Sequence, residues 1–373
     1  MVSLKRNGVS DLFCSLRKEV FDVIFVNLMN NGTVSSEAVQ SGMPQEGLAF
    51  KQDDNIPKDI AEEFKDIIGR YTYRMEIAKT PTCNAVIRIN DGQSAIVTFE
   101  NLGFDDETTH EMRRLAKSPD GLVLVTGPTG SGKTTTLYAW MNLIDPIEKH
   151  VITVENPIEY RKGTWIQHQI RSKDGEEGAA MRIMVKALLR QAPDVTLVGE
   201  LRDDPELVQH TLALANTGHL TFSTLHTNSA PEAVLRLSQI GVSKEALATT
   251  LKAVLAQRLV RKLCEHCKVP DDRGETLSAF NPYDALKKGA KTLFKASDNG
   301  CPHCEYTSYR GRAMLYELML ISSEISGLIE DGAPVSSIKK VFAAQSKTIW
   351  QRGLEVVASG GTSIDELRER ARP

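Results

Sequence analysis

The amino-acid sequence predicts a two-part α/β protein, and two features of the chain lead to that class. Its 373 residues exceed the length over which one hydrophobic core usually grows, which favours more than one domain. From Gly121 onward, short apolar runs alternate with stretches of helical periodicity. The runs are LVLVT, HVITVENP, DVTLVGE and HLTFSTLH, and the helical stretches include MRIMVKALLRQ and DPELVQHTLALANTG. This alternation indicates a mostly parallel sheet covered by helices on both faces.

The first 100 residues predict a smaller α+β domain. A helix is expected at residues 60–68, where apolar side chains recur at helical spacing, and YTYRMEI and CNAVIRIN are expected to be strands. NLGFDDETTHEMRRLAK indicates a linker and then a helix that Asp105 or Asp106 caps. The predicted boundaries are 1–100 for this domain, 101–120 for the linker and first helix, 121–262 for the α/β core, 263–310 for a cysteine-bearing element and 311–373 for a C-terminal helical part.

The overall composition is that of a soluble globular protein. Hydrophobic residues make up 41% and charged residues 25% of the chain, with a formal net charge of −3. That charge weighs against a protein that coats nucleic acid, although a local basic patch stays possible. No apolar run approaches the roughly 18–20 residues that cross a bilayer, and no secretory signal is evident. We expect a cytosolic protein, in which paired cysteines favour a metal site over disulfides.

The stretch GPTGSGKT, Gly127 to Thr134, matches the phosphate-binding pattern G-x-x-x-x-G-K-[ST] in full. It follows the apolar run LVLVT and precedes a helical stretch, which is the context that the mechanism requires. Gly130 and Gly132 allow backbone N–H groups to turn inward around an anion, and the helix N-terminus adds partial positive charge. Lys133 is expected to reach the β- and γ-phosphates and Thr134 to bind Mg²⁺. The motif predicts a nucleoside triphosphate site.

Acidic residues end two of the predicted strands, at the sheet edge where ligands bind in open α/β folds. The first cluster is Glu155 and Glu159, and the second is Glu200, Asp203 and Asp204. Each acid alone is often a turn or helix-cap residue, but two clusters behind one phosphate loop favour catalysis.

A third predicted strand carries two histidines, His219 and His226, on either side of it. A lone histidine is usually structural. Because the strand also leads Ser223, Thr224 and Thr227 towards the nucleotide, a phosphate-sensing role is a reasonable expectation.

Four of the six cysteines form two C-x-x-C pairs, Cys264 with Cys267 and Cys301 with Cys304. Each pair predicts a tight turn that directs two thiolates to one point, and two such pairs make a tetrahedral zinc site. The 33 intervening residues exceed the commonest ribbon spacing, so the spacing alone is not conclusive. His303 is an alternative fourth ligand, whereas a redox pair would need a thioredoxin-like context that the sequence lacks.

Together these stretches resemble the type II secretion and type IV pilus assembly ATPases, a branch of the hexameric secretion ATPases. The resemblance is carried by VLVTGPTGSGKTTTLY (Walker A), ITVENPIEY (the aspartate box), LLRQAPDVTLVGELRD (Walker B) and GHLTFSTLHTNSA (the histidine box). It extends from about Gly103 to the C-terminus and is faint over residues 1–100. It implies a PAS-like N-terminal domain followed by a RecA-like ATPase domain.

The resemblance also implies the function and the partners. The chain would be a cytoplasmic homo-hexamer, peripheral to the inner membrane, that uses ATP and Mg²⁺ to drive pilus assembly or secretion. Its partners would be a polytopic inner-membrane platform protein and a recruiting protein, with no nucleic acid. Because retraction motors generally lack the tetracysteine element, the two cysteine pairs favour assembly or secretion.

By match to the family motifs, individual residues acquire roles. Glu159 takes the position of the water-activating glutamate, Glu200 that of the Walker B acid, and His226 that of the histidine nearest the γ-phosphate. The nucleotide-binding segment comprises Gly127, Pro128, Thr129, Gly130, Ser131, Gly132, Lys133, Thr134 and Thr135. Nucleotide is expected between the two domains of the chain.

Two departures from the family pattern affect these roles. Asn156 replaces the usual aspartate, which keeps a carbonyl acceptor but removes a charge and predicts weak or partner-dependent ATPase activity. No lysine or arginine lies between Ile89 and Met112, where the family usually carries arginines that reach a neighbouring subunit. Arg74 and Arg88 are the remaining candidates for that role, with solvated strand residues as the alternative.

Two other functions stay open from the sequence. A nucleic-acid motor with a zinc ribbon would use the basic stretches KKGAKTLFKAS and YRGR, although such runs are more often solvated faces. A weakly active family member that binds ATP and only assembles would explain Asn156.

Overall fold

The computed structural model describes residues 11–16, 71–78, 83–91, 98–170, 176–271 and 292–371. Backbone contacts divide the chain into two compact units, Met1–Ile96 and Val97–Pro373. The first unit holds most of the segment predicted as an α+β domain, and the second holds the predicted α/β core with everything that follows it.

The described part of the first unit is an antiparallel sheet with the strand order β1-β3-β2. Strand β1 is Asp11–Leu16, β2 is Tyr71–Ala78 and β3 is Cys83–Asp91. The last two confirm the predicted strands YTYRMEI and CNAVIRIN. Their register places Arg74 opposite Arg88. The helix predicted at residues 60–68 lies outside the described residues.

The second unit opens with a 3₁₀ turn at Phe99–Leu102 and helix α1 at Asp106–Leu115. Asp105 caps α1, because its carboxylate accepts a hydrogen bond from the Thr108 N–H at 2.8 Å. The same carboxylate lies 2.7 Å from the Arg352 guanidinium. The predicted helix and its cap are therefore confirmed, and a residue far along the chain holds the cap in place.

Strands and helices then alternate through the core. They are β4 (Gly121–Thr126), α2 (Lys133–Met141), β5 (Val151–Glu155), β6 (Ile166–Gln169), α3 (Glu177–Leu188), β7 (Val195–Val198), α4 (Pro205–Asn216), β8 (Leu220–Leu225), α5 (Ala230–Gln239), α6 (Lys244–Thr250) and β9 (Leu251–Leu263). The four apolar runs of the sequence are strands β4, β5, β7 and β8, as predicted.

The C-terminal part begins with the cysteine-bearing element and ends in helices. Its elements are β10 (Val269–Pro270), β11 (Phe294–Lys295), a 3₁₀ turn at Pro302–Cys304, β12 (Tyr309–Leu320), α7 (Ser323–Glu330), α8 (Val335–Gln345), α9 (Ile349–Ala358) and α10 (Ile364–Arg370). Strand β12, which the sequence did not indicate, joins the central sheet ahead of these helices.

The central sheet has seven strands in the order β12-β9-β4-β8-β7-β5-β6. Within this sheet of the described residues, β12 runs antiparallel to β9 and the other neighbours run parallel. Because β4 lies near the middle, the loop at its carboxyl end is flanked by the end of β8 and by the middle of β9. This order brings distant segments of sequence to one edge of the sheet.

The two faces of the sheet are covered by different helices, as the alternation predicts. Leu122 and Leu124 of β4 pack into a core with helices α3 to α10. Val123 and Val125 pack into a second core with α1 and α2. Adjacent residues of β4 thus point to opposite faces, and both faces are buried. Among the helices that the structure describes, none has the length and apolar character to cross a bilayer.

Candidate nucleotide site and cysteine cluster

The loop between β4 and α2 carries the glycine motif at the carboxyl end of β4. Gly127, Gly130 and Gly132 have φ angles of 148°, 76° and 87°, a region that side-chain-bearing residues rarely adopt. A Cβ atom on Gly127 would lie 2.4 Å from the carbonyl oxygen of Gln257. Glycine at this position is therefore needed for the close approach of the loop to β9 as well as for its turn.

A buried glutamine on β9 holds the middle of the glycine loop. The Nε2 atom of Gln257 donates a hydrogen bond to the Ser131 carbonyl at 2.7 Å. The Ser131 hydroxyl is buried and makes no hydrogen bond within the described structure. An unpartnered hydroxyl in such a loop fits an anion that would accept from it.

The Lys133 ammonium lies across the loop. It donates hydrogen bonds to the carbonyls of Gly127 at 2.8 Å and Pro128 at 3.2 Å. Burial lowers the pKa of Lys133 to about 8, nearby Glu200 opposes that shift, and Arg258 adds to it. A cation held by weak neutral acceptors in a partly desolvated position is poised to bind a stronger anionic partner.

His226 connects this lysine to an acidic residue from a third segment. Its Nδ1 atom lies 3.5 Å from the Lys133 Nζ, and its Nε2 lies 2.9 Å from a Glu200 carboxylate oxygen. Arg202 approaches the other Glu200 oxygen at 3.6 Å. The ends of β4, β7 and β8 therefore bring together a cation, a carboxylate and an imidazole that the sequence predicted separately.

Two anchors hold the loop that carries His226. The Thr126 hydroxyl accepts a hydrogen bond from the Thr227 N–H and lies within 2.8 Å of the Thr227 hydroxyl. The Arg258 guanidinium donates to the carbonyl and side-chain oxygens of Asn228. The backbone on the C-terminal side of His226 is thus fixed against β4 and β9, which limits the positions that the imidazole can take.

The first strand-end glutamate, Glu155, is buried in a network of neutral donors. The hydroxyls of Tyr138 and Thr153 donate to its carboxylate at 2.6–2.8 Å. Burial raises the pKa of Glu155, the hydrogen bonds oppose that shift, and the nearby charge of Glu159 adds to it. Glu155 therefore supports the fold of this corner, while the exposed Glu159 belongs to the loop after β5.

The two aspartates after β7 have structural roles. A turn or helix-cap role was the alternative to catalysis that the sequence left open for each acid. Asp204 caps α4 by accepting the Leu207 N–H at 3.1 Å. Asp203 forms an ion pair with Arg236. Of the acids in this cluster, Glu200 is the one in contact with His226.

The expectation for His219 is wrong. It lies at the opposite end of β8 from His226, and its Nδ1 is 2.8 Å from the Leu214 carbonyl near the end of α4. The two histidines lie directly before and directly after β8, so the full length of that strand separates them.

Sequence reasoning missed Gln257 and Arg258, both of which lie on β9 and contact the loops of the site. The available signal was the interruption of the apolar stretch LKAVLAQRLV by two adjacent polar residues. Polar residues inside a buried strand need partners, and here the partners are Ser131 and Asn228.

The four paired cysteines converge on one point. The Sγ atoms of Cys264, Cys267, Cys301 and Cys304 all lie within 4.8 Å of one another, and three of the pairs are 3.7 Å apart. A tetrahedral site with Zn–S bonds of about 2.3 Å has S–S edges of about 3.8 Å. The donor set and spacing fit zinc, and the alternative ligand His303 instead stacks on His266 at a ring-centroid distance of 3.9 Å.

The cysteine cluster is built into the C-terminal part of the second unit. Burial raises the pKa of Cys304, but hydrogen bonds from the N–H groups of Cys301 and Ser308 outweigh it and lower that pKa to about 6. The N–H of Cys264 donates to the Ser308 carbonyl, and Lys268 donates to the Gly360 carbonyl beyond α9. These contacts fix the positions of the sulfur atoms, which favours a structural metal site.

The fold and the site define an α/β protein with a mostly parallel sheet and a phosphate-loop motif at the end of a central strand. Residues 51–369 match the model of the type II/IV secretion system protein family, and the chain belongs to that family.

Relatives and solved structures agree with this assignment. The chain is 37% identical to the type II secretion system ATPase E of Vibrio cholerae over 83% of this chain and 62% of that protein. It is 35% identical to the type IV pilus assembly ATPase PilB of Thermus thermophilus over 84% of this chain and 36% of that protein. A crystal structure of the pilus retraction motor PilT with ADP superposes with a TM-score of 0.57 at 26% identity, covering 81% of this chain and 74% of PilT. The chain thus spans less than two thirds of the two curated relatives.

Proposed function

We propose that this chain is an ATP-hydrolysing motor that powers type IV pilus assembly or type II secretion. The main observation in support is that His226 contacts both Lys133 of the glycine loop and Glu200. These are the three groups that phosphate binding, metal binding and charge sensing require, and they come from three separate segments. The names of the Vibrio and Thermus relatives support the same role, and family membership favours it over a nucleic-acid motor.

The residues of the glycine loop fit ATP and Mg²⁺. Bound ATP supplies the phosphoryl group for transfer, and Mg²⁺ neutralises its charge. Lys133 would exchange its two carbonyl contacts for phosphate oxygens, and Thr134 with Glu200 would hold the metal. The proposed binding segment is Gly127, Pro128, Thr129, Gly130, Ser131, Gly132, Lys133, Thr134 and Thr135.

Two further side chains act on the water and on the transferred group. Glu159 would accept the proton of the attacking water, and His226, which is bonded to Glu200, would hold that carboxylate in position beside the γ-phosphate. The bond between His226 and Glu200 lets the imidazole respond to changes at the metal-binding carboxylate. Hydrolysis would then affect the backbone after β8, where the Thr227 N–H is bonded to Thr126.

We place the chain in a cytoplasmic homo-hexamer at the inner face of the inner membrane. Its partners would be a polytopic platform protein and a recruiting protein, with no nucleic acid. Arg74 and Arg88, which lie opposite each other in the register of β2 and β3, are the proposed arginines that reach the nucleotide of a neighbouring subunit. The antiparallel sheet of the first unit is compatible with a PAS-like domain.

Zinc has a structural role in this proposal. Cys264, Cys267, Cys301 and Cys304 would hold the ion with four thiolates, a donor set that is typical of structural zinc sites. The metal would stabilise the element between β9 and β12. This element supports assembly or secretion as the direction of the motor.

The deciding experiment measures ATP hydrolysis with and without the cytoplasmic part of the cognate platform protein. We expect low basal activity, stimulation by the platform and a hexamer by mass measurement with nucleotide bound. Lys133→Ala is the control and should remove hydrolysis in both conditions. No stimulation together with no hexamer would refute the motor.

A further inference from the structure

The side chain of Gln167, the second residue of β6, binds the turn that follows Glu159. Its Oε1 accepts a hydrogen bond from the Lys162 N–H at 2.7 Å, and its Nε2 donates to the Tyr160 carbonyl at 3.0 Å. Tyr160 is the residue directly after Glu159. One side-chain amide therefore holds two backbone groups of the loop that carries the proposed catalytic carboxylate.

The same amide is joined to helix α2, which starts inside the glycine motif. The Gln167 Nε2 lies 3.0 Å from the Tyr138 hydroxyl, which in turn donates to Glu155. Tyr138 is 1% exposed and Glu155 is 4% exposed. Buried polar networks with their members bonded are rigid, because breaking one bond leaves a desolvated group without a partner.

The ring of Tyr160 adds a second connection to α2. It meets the Tyr138 ring edge to face, with the centroids 5.3 Å apart, and its hydroxyl lies 3.4 Å from the Thr135 hydroxyl. Thr135 directly follows Thr134, the proposed Mg²⁺ ligand. The residue after Glu159 is thus in contact with the residue after Thr134, which sets the position of one segment against the other.

We propose that Gln167 is a positioning residue that holds Glu159 in place against the glycine loop for ATP hydrolysis. This inference rests on the proposed function, because it needs Glu159 to act on the attacking water. Strand pairing of β6 with β5 provides the fixed support, with Gln167 opposite Thr153 in the register. A misplacement of about 1 Å at a catalytic group can reduce the rate by about 100-fold, so a small loss of support has a large kinetic effect.

The first test is Gln167→Leu, which keeps the approximate side-chain volume and removes the donor and the acceptor. We expect kcat to fall at least about tenfold with KM for ATP changed less than about threefold, since the glycine loop stays intact. Gln169→Leu is the matched control on the same strand, two residues further along, and should keep the kcat of the unmodified chain. An unchanged kcat in Gln167→Leu would overturn the proposal.

The second test combines Gln167→Leu with Glu159→Gln. If Gln167 acts through Glu159, the double variant should hydrolyse ATP no more slowly than Glu159→Gln alone. Additive losses would assign Gln167 to general stability and overturn the positioning role. Gln167→Glu is a companion variant that keeps an acceptor for Lys162 but places a carboxylate against the Tyr160 carbonyl and the Glu155 carboxylate, and we expect a kcat no higher than that of Gln167→Leu.

These outcomes separate the two proposals. If Glu159→Gln hydrolyses ATP at the unmodified rate, the assigned role of Glu159 fails and the positioning role fails with it. If Glu159→Gln loses activity while Gln167→Leu keeps it, the motor stands and the positioning role alone is refuted.

Discussion

His226 lies 2.9 Å from Glu200 through one ring nitrogen and faces Lys133 at 3.5 Å through the other. A neutral imidazole can serve both contacts, because one ring nitrogen donates to the carboxylate while the other accepts from the ammonium. The contact makes the imidazole the physical connection between the segment after β7 and the glycine loop.

Replacing His226 by alanine should reduce kcat by roughly 100-fold, since the side chain that holds Glu200 against the glycine loop is lost and a misplacement of about 1 Å can reduce the rate by that factor. ATP affinity should change little, because the glycine loop and Lys133 stay in place. Steady-state hydrolysis and nucleotide titration measure the two effects. His219→Ala is the matched control at the far end of β8, and an equal loss of kcat in both variants would contradict a role of His226 in the site.

ATP affinity should depend on pH through Lys133. Burial lowers the pKa of Lys133 to about 8 in the free chain, and bound phosphates would raise it by stabilising the charged form. The affinity should therefore be constant below about pH 7 and fall as the pH rises through about 8, by up to about tenfold per unit. Titration between pH 6.5 and 9.5 tests this. Lys133→Arg, which stays charged, should lose the pH dependence whatever its absolute affinity.

Asn156→Asp should raise ATP hydrolysis, on the order of tenfold, if the missing carboxylate limits the catalytic step. Asn156 is exposed after β5, three residues before Glu159, so the added charge disturbs no buried contact. Hydrolysis at saturating ATP is the measurement. Asn299→Asp adds the same charge in the cysteine-bearing element and should have no effect, and an unchanged rate in Asn156→Asp would show that the substitution has no importance.

Cys264→Ser should release zinc and destabilise the C-terminal part while leaving ATP binding largely intact. Cys264 and the nearby Lys268 donate hydrogen bonds to Ser308, directly before β12, and to Gly360 after α9, and the element lies on a separate loop from the glycine motif. Metal analysis should find one zinc per unmodified chain and less than stoichiometric metal in the variant, with a lower Tm. His303→Ala should keep the metal, and loss of zinc there would restore His303 as a ligand.

Glu317→Ala should destabilise the second unit by about 2–5 kcal/mol. The buried Glu317 carboxylate accepts the Ala230 N–H at 2.7 Å and the Ile349 N–H at 3.0 Å, so it caps two helices at once. Removing it leaves two buried donors without partners and opens a cavity. The urea midpoint measures the loss. Glu330→Ala, at the exposed end of α7, should change stability by less than about 0.5 kcal/mol.

Local patterns in the sequence were sufficient for the elements that are strongly periodic or marked by motifs. The buried strands β4, β5, β7 and β8, the glycine loop and the capped helix α1 were all predictable, since each depends on residues close together in the chain. Strand β12 was not, because its partner β9 lies beyond the cysteine element and its own sequence, YRGRAMLYELML, mixes charged and apolar residues. Strand pairing over such a distance is decided by packing.

The sequence alone determined the chemistry that this protein carries: the phosphate loop, the two cysteine pairs, and the acids and histidines that follow buried strands. The tertiary structure decided which of them act together. Parallel strands bring their carboxyl ends to one edge, so Glu200 and His226 meet Lys133, whereas Asp203, Asp204 and Glu155 are used in caps, ion pairs and a buried network. The sequence marks Gln257 and Arg258 only as polar residues in an apolar strand, and it gives no sign of the roles of Glu317 and Gln167. The partners of all four are decided in three dimensions, because a hydrogen bond depends on distance in space.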